Sequence, residues 1–81
     1  MTVTVQLFAR ARDLAGTSSL ELDLSEAATV GELREVLISQ EPRLTPIART
    51  LLVAVDGEYA ANDAPVREGA EVACFPPVSG G

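Results

Sequence analysis

Thr29-Val30-Gly31-Glu32-Leu33-Arg34-Glu35-Val36-Leu37-Ile38 is the stretch around which the chain organises itself. It opens with a capping box. The Thr29 hydroxyl can accept the Glu32 amide while the Glu32 carboxylate reaches back, so two unpaired N–H groups of a first helical turn are met. Behind the cap, Val30, Leu33 and Leu37, with Val36 or Ile38 at the edge, form an apolar stripe at helical spacing. Pro42 disfavours helix at the residue before it, so the helix ends by Gln40 or Glu41.

Two strands precede this helix. Thr2 to Phe8 alternates, with Val3, Val5 and Leu7 on one face and Thr2, Thr4 and Gln6 on the other. Phe8 falls on the polar parity. Arg10 to Ala15 makes one or two helical turns stopped by Gly16 as a left-handed cap. Leu20, Leu22 and Leu24 then alternate with Glu21 and Asp23, so an antiparallel pair with the first strand follows.

After the helix, Thr45-Pro46 predicts one further turn with Pro46 in its first position. Leu51 to Val55 is an apolar run too short for a helix and reads as a strand. Asp56-Gly57 is a type I′ hairpin signal returning into Glu58 to Ala60. Asn62 to Pro65 and Glu68-Gly69 carry turn chemistry, and Glu71 to Phe75 forms the last strand. The order β-β-α-β-β-β predicts an α+β fold, a mixed sheet with one principal helix packed on one face. A β-grasp arrangement satisfies it, with the first and last strands parallel neighbours. The domain takes residues 1–75 and an extended tail takes 76–81.

Composition narrows the chemistry. An 81-residue chain buries only around 60 % of its unfolded surface, leaving little room for an internal catalytic cavity. Its net charge of −6 is the wrong sign for phosphate backbones, so nucleic acid is not an expected partner. No apolar run approaches the roughly 18 residues of a membrane span, and no signal pattern opens the chain, so the cytoplasm is the expected compartment. Histidine is absent, Cys74 is the single cysteine, and all 6 basic residues are arginine. A histidine-assisted nucleophile, a His/Cys metal site and a disulfide are thereby excluded. No metal and no bound cofactor are expected. Cys74 lies in an apolar stretch, which suits a small buried hydrophobe better than a reactive thiol.

The end of the chain is the most informative part. Phe75-Pro76-Pro77-Val78-Ser79-Gly80-Gly81 carries no charged side chain. Two prolines bar further ladder pairing and favour polyproline II, which rises about 3.1 Å per residue, so Pro76 to Gly81 reach roughly 18 Å beyond the sheet. Gly80 and Gly81 lack Cβ atoms, so a narrow channel can close around them. Such a tail is either a frayed terminus or a device that presents the Gly81 carboxylate deep inside another protein. A carboxylate is inert until activated; adenylation by ATP makes a mixed anhydride that a persulfide can attack, leaving a thiocarboxylate. That chemistry needs slimness from the carrier and takes its acids, bases and Mg²⁺ from elsewhere.

The three aromatics are Phe8, Tyr59 and Phe75. Phe8 and Phe75 lie on the parity opposite to the apolar positions of their strands. With the first and last strands parallel, the two rings meet on the helix-free face, where the tail departs. Core rings are one reading of so small a chain; a partner-docking anchor beside the tail is the other.

These stretches carry a resemblance. Phe8-Ala-Arg-Ala-Arg-Asp-Leu-Ala-Gly16, Thr29-Val-Gly-Glu-Leu33, Val55-Asp-Gly-Glu-Tyr59, Gly69-Ala-Glu-Val72 and the Pro76-Pro-Val-Ser-Gly-Gly81 ending together resemble the small subunit of molybdopterin synthase, a MoaD-type ubiquitin-like sulfur carrier. The likeness covers essentially the whole chain, and the ending is its most specific part. Ala70 stands where that family commonly has Asp, and Asp56 where it commonly has Asn; both bear on local turn stability. The resemblance implies a non-catalytic sulfur-donor subunit of a heterotetramer. A MoeB-type enzyme using ATP and Mg²⁺ would adenylate Gly81, and a sulfurtransferase would supply sulfur. The tail (Pro76, Pro77, Val78, Ser79, Gly80) would then enter a MoaE-type large subunit and deliver sulfur to cyclic pyranopterin monophosphate. It further implies that Phe8, Tyr59 and Phe75 dock on both partners. A ThiS-type carrier for thiazole synthesis and a ubiquitin-like protein modifier share the activated tail and stay open, as does a plain interaction domain.

Overall fold

The computed structural model describes residues 1–77. Five strands, β1 (Thr2–Leu7), β2 (Ser19–Asp23), β3 (Leu52–Val55), β4 (Glu58–Tyr59) and β5 (Glu71–Phe75), form one sheet in the order β2-β1-β5-β3-β4. β1 pairs antiparallel with β2 and parallel with β5; β3 is antiparallel to both β4 and β5. The principal helix is α2 (Val30–Gln40), and a shorter one, α1 (Ala9–Ala15), joins β1 to β2. This is the mixed β-grasp sheet that the element order predicts.

Strand alternation decides which residues enter the core. Val3, Val5, Leu7, Val72 and Cys74 are buried on one face, where they meet Val30, Leu33 and Leu37 of α2. Each large aliphatic buried this way removes roughly 1.5–3 kcal/mol of apolar exposure. Val36 and Ile38 are partly buried at the edge of the stripe.

Half of the capping box forms. The Thr29 hydroxyl accepts from the Glu32 N–H at 3.3 Å. The Glu32 carboxylate does not return to Thr29; it accepts instead from the Ser25 N–H at 3.1 Å and the Ser25 hydroxyl at 2.9 Å. Ser25 offers two donors to one carboxylate, which outcompetes a single backbone amide. The amides of Val30 and Gly31 are met by the carbonyls of Ala64 (3.0 Å) and Asn62 (2.9 Å). That loop approaches closely enough that a Cβ on Gly31 would sit 3.4 Å from the Asn62 oxygen.

α2 ends at Gln40, before Pro42, as the proline requires. The following segment adds one turn to the expected one. A 3₁₀ turn spans Pro42–Leu44, with Pro42 in its opening position, and the Thr45 N–H and hydroxyl both donate to the Pro42 carbonyl. Thr45 also opens the expected further turn: the Ala48 N–H donates to its carbonyl at 3.4 Å, with Pro46 in the first position. Arg34 fastens this region to α2, its Nε donating to Asn62 Oδ1 and its Nη1 to the Ala48 carbonyl, both at 2.8 Å.

The β3–β4 hairpin has φ of +52° at Asp56 and +86° at Gly57, the pair of left-handed residues that a type I′ turn needs. Asp56 also accepts the Glu71 N–H through Oδ1 at 2.9 Å while its own N–H donates to the Glu71 carbonyl. The carboxylate thus stitches the turn to β5. Ala70 is nearly buried and packs with the core.

Candidate functional site

Because β1 and β5 are parallel neighbours in register Thr4 to Glu71 through Leu7 to Cys74, their C-terminal ends lie side by side. Phe8 extends that ladder one step, with φ −125°, ψ 152° and its N–H donating to the Cys74 carbonyl at 3.3 Å. Parity then turns both Phe8 and Phe75 to the helix-free face. The rings are parallel within 9°, with centroids 4.8 Å apart. Tyr59, on β4, stands edge-on to Phe75 at 6.4 Å. All three aromatics named from the sequence are brought together.

The cluster is not core. Phe8 is 41 % exposed, Tyr59 73 % and Leu52 37 %; Phe75 is half-buried beneath its neighbours. A small domain rarely leaves its only aromatics on one open face without a use for them. Leu52 belongs to the cluster, paired across β3–β5 with Phe75, and sequence reasoning missed it. The run Leu51–Val55 is apolar throughout and hides its own parity; counting back from the Asp56-Gly57 turn would have shown Leu52 facing outward. At the opposite end of the face, Glu21, Asp23 and Glu71 are exposed, so the surface grades from apolar at the tail root to acidic.

Sharp backbone geometry holds Phe8 in place. Ala9 has φ +52°, a left-handed conformation that costs an L-residue about 1–2 kcal/mol. It bends the chain from β1 into α1 within one residue, and the Ala11 N–H returns to the Phe8 carbonyl at 3.1 Å. β5 ends at Phe75, and Pro76 and Pro77 follow outside any regular element. Val78, Ser79, Gly80 and Gly81 lie outside the described residues.

Cys74 sits on the other side of the sheet, fully buried among the core aliphatics. Loss of solvation pushes its thiol from 9.0 up to about 11, against a weaker opposing pull from Arg34. At neutral pH it is a packing group, without a thiolate to offer. Among the described residues no cluster of His, Cys, Asp or Glu could hold a metal ion, and no helix is long and apolar enough to cross a membrane. What the described residues offer is an exposed apolar face beside the end of β5.

A family model described as the ThiS family matches residues 5–81. The chain belongs to the ThiS family. Its relatives include the molybdopterin synthase sulfur carrier subunits of Arabidopsis thaliana, 34 % identical over 98 % of this chain and 82 % of that protein. The subunit of Escherichia coli is 38 % identical over 98 % and 99 %. Among solved structures, small archaeal modifier protein 1 of Haloferax volcanii superposes with a TM-score of 0.86 at 32 % identity, each chain fully covered. A putative molybdopterin converting factor subunit 1 from Pyrococcus furiosus superposes at 0.85, with 31 % identity over 96 % and 99 % of the two chains. The same ThiS-family fold occurs, at 22 % identity and a TM-score of 0.70, in a complex of subunits 1 and 2 of molybdopterin-converting factor from Helicobacter pylori.

Proposed function

We propose that this ThiS-family chain is the sulfur carrier subunit of a molybdopterin synthase, working in the cytoplasm as the small partner in a heterotetramer. The observation that carries the reading is the Phe8–Phe75 stack, exposed on the helix-free face where the Gly-Gly tail begins. Full-length similarity to named sulfur carrier subunits supports it.

The Gly81 carboxylate attacks the α-phosphorus of ATP in a MoeB-type enzyme. Pyrophosphate leaves, and an acyl adenylate remains. A sulfurtransferase persulfide then attacks the acyl carbon and expels AMP, and a second thiol cleaves the resulting acyl disulfide to leave the thiocarboxylate. Docked through Phe8, Tyr59 and Phe75 on a MoaE-type large subunit, the carrier threads Pro76 to Gly80 into that subunit's site, where sulfur passes to cyclic pyranopterin monophosphate. The chain's own contribution is positioning. Its body supplies no acid, base or metal.

Removing Gly81 tests the reading. Incubated with ATP, Mg²⁺, activating enzyme and a sulfur donor, the full chain exchanges one oxygen for sulfur, seen as a mass gain localised to Gly81. The shortened chain stays unmodified and keeps its thermal midpoint. Normal sulfur uptake by the shortened chain would sink the proposal. The likeness to small archaeal modifier protein 1 favours one second reading, attachment to lysines of other proteins. That reading predicts amide-linked adducts in extracts supplied with ATP.

A further inference from the structure

An activated acyl group is indifferent to which nucleophile takes it, so the carrier's own surface is the first hazard it meets. Lysine is the ordinary culprit. An unprotonated amine attacks the carbonyl carbon of the adenylate, the bond from that carbon to the phosphate oxygen breaks, AMP leaves with the electron pair, and the amine proton passes to solvent. The amide formed cannot be adenylated again, and the carrier is spent.

This chain contains no lysine and no histidine. Its basic residues are arginines, whose guanidinium stays protonated and does not act as a nucleophile under these conditions. The one thiol, Cys74, has no exposed surface. The amino group of Met1 donates to the Leu24 carbonyl at 2.7 Å.

Placement sharpens the point. Phe8 stacks on Phe75, so α1, which starts at the next residue, stands at the root of the tail. Arg10 and Arg12 are exposed there. Six residues beyond Phe75 reach about 18 Å when extended, and groups joined by so short a linker meet at millimolar effective concentration. α1 starts one residue after Phe8, so a lysine at either position would fall within the reach that this tail length allows.

We infer that the body of this carrier is kept free of side-chain amines, imidazoles and exposed thiols, with arginine in place of lysine at the tail root, so that the activated C-terminus is not captured by its own side chains. The inference rests on the proposed activation of Gly81. It also sets a limit on the second reading: side chains of this chain offer no amine for a further copy, so no side-chain-linked polymer could form.

The test uses the full chain with activating enzyme, ATP and Mg²⁺, no sulfur donor, at mildly alkaline pH. Wild type is compared with Arg10→Lys and Arg12→Lys, which preserve charge. Exchange of labelled pyrophosphate into ATP reports activation, and intact mass reports loss of one water (an intrachain amide) or covalent dimers. All three proteins are expected to support exchange. Wild type stays the free acid, while the lysine variants lose water in at least about tenfold greater proportion. Equal amide formation in wild type overturns the inference, as does a variant that exchanges normally and remains unmodified. No exchange with wild type would instead defeat the proposed activation.

Discussion

Replacing Phe75 by alanine separates a docking ring from a core ring. In the free domain Phe75 loses its stack on Phe8 and its edge contact with Tyr59. Stacked pairs are worth about 0.5–1.5 kcal/mol beyond area, and the half-buried ring adds part of a transfer term. The expected loss of stability is therefore about 1–2 kcal/mol, well short of the roughly 3–5 kcal/mol that truncating a buried phenylalanine costs. Binding should suffer more. An aromatic anchor enclosed by a partner is worth roughly 1.5–3 kcal/mol by area and supports Phe8 as well, so affinity for the large synthase subunit falls more than about tenfold. Urea midpoints of the free domain and calorimetric titration of the large subunit measure the two effects. Phe75→Leu, which keeps apolar volume and loses the stack, should cost no more than the stack itself, about 0.5–1.5 kcal/mol, and recover only part of the binding. A Phe75→Ala chain destabilised by 3 kcal/mol or more, whose folded fraction binds normally, would refute the reasoning.

Cys74→Ala should cost about 1 kcal/mol or somewhat more through a small cavity while still accepting sulfur; a folded variant that takes none would make Cys74 a relay. The same thiol shapes the alkaline limb of stability. Its folded pKa of about 11 stands above the unfolded 9.0, so the unfolded chain releases its proton first, and stability present below pH 9 is lost as pH rises toward 11. With no lysine to titrate alongside it, the decline should be visible in pH-dependent urea midpoints and flattened in Cys74→Ala. Ala9→Gly relieves the left-handed backbone at about 1–2 kcal/mol, offset by the looser unfolded chain, so thermal denaturation should show a net gain of up to about 1 kcal/mol. Arg34→Met removes two hydrogen bonds that join α2 to the Asn62 loop and the Ala48 carbonyl; a loss of about 1–3 kcal/mol is expected, with faster hydrogen exchange in residues 42–50.

Much of this was legible because strand parity and capping are local. The alternation of Val3, Val5 and Leu7, the Asp56-Gly57 turn and the Thr29 cap each report their own neighbourhood, and together they order the sheet. The outward position of Phe8 was readable for the same reason, standing on the wrong parity for core. What escaped depended on competition between distant groups. Ser25 claims the Glu32 carboxylate from seven residues away, and Pro42 opens a 3₁₀ turn ahead of the one expected at Pro46. Leu52 was hidden by an apolar run in which every position looks buried. The left-handed Ala9 gives no sign in sequence, since alanine is an unfavoured occupant there, held by the ladder bond before it and α1 after it.

Transfer of the carried sulfur is the step on which everything converges. A purified thiocarboxylate form of the chain, mixed with the large synthase subunit and cyclic pyranopterin monophosphate, is followed by intact mass alongside pterin analysis. The account predicts that Gly81 returns to the plain carboxylate as dithiolene forms in proportion, and that neither change occurs without the pterin. A thiocarboxylate that persists in the presence of large subunit and pterin, or is consumed equally without the pterin, would contradict it.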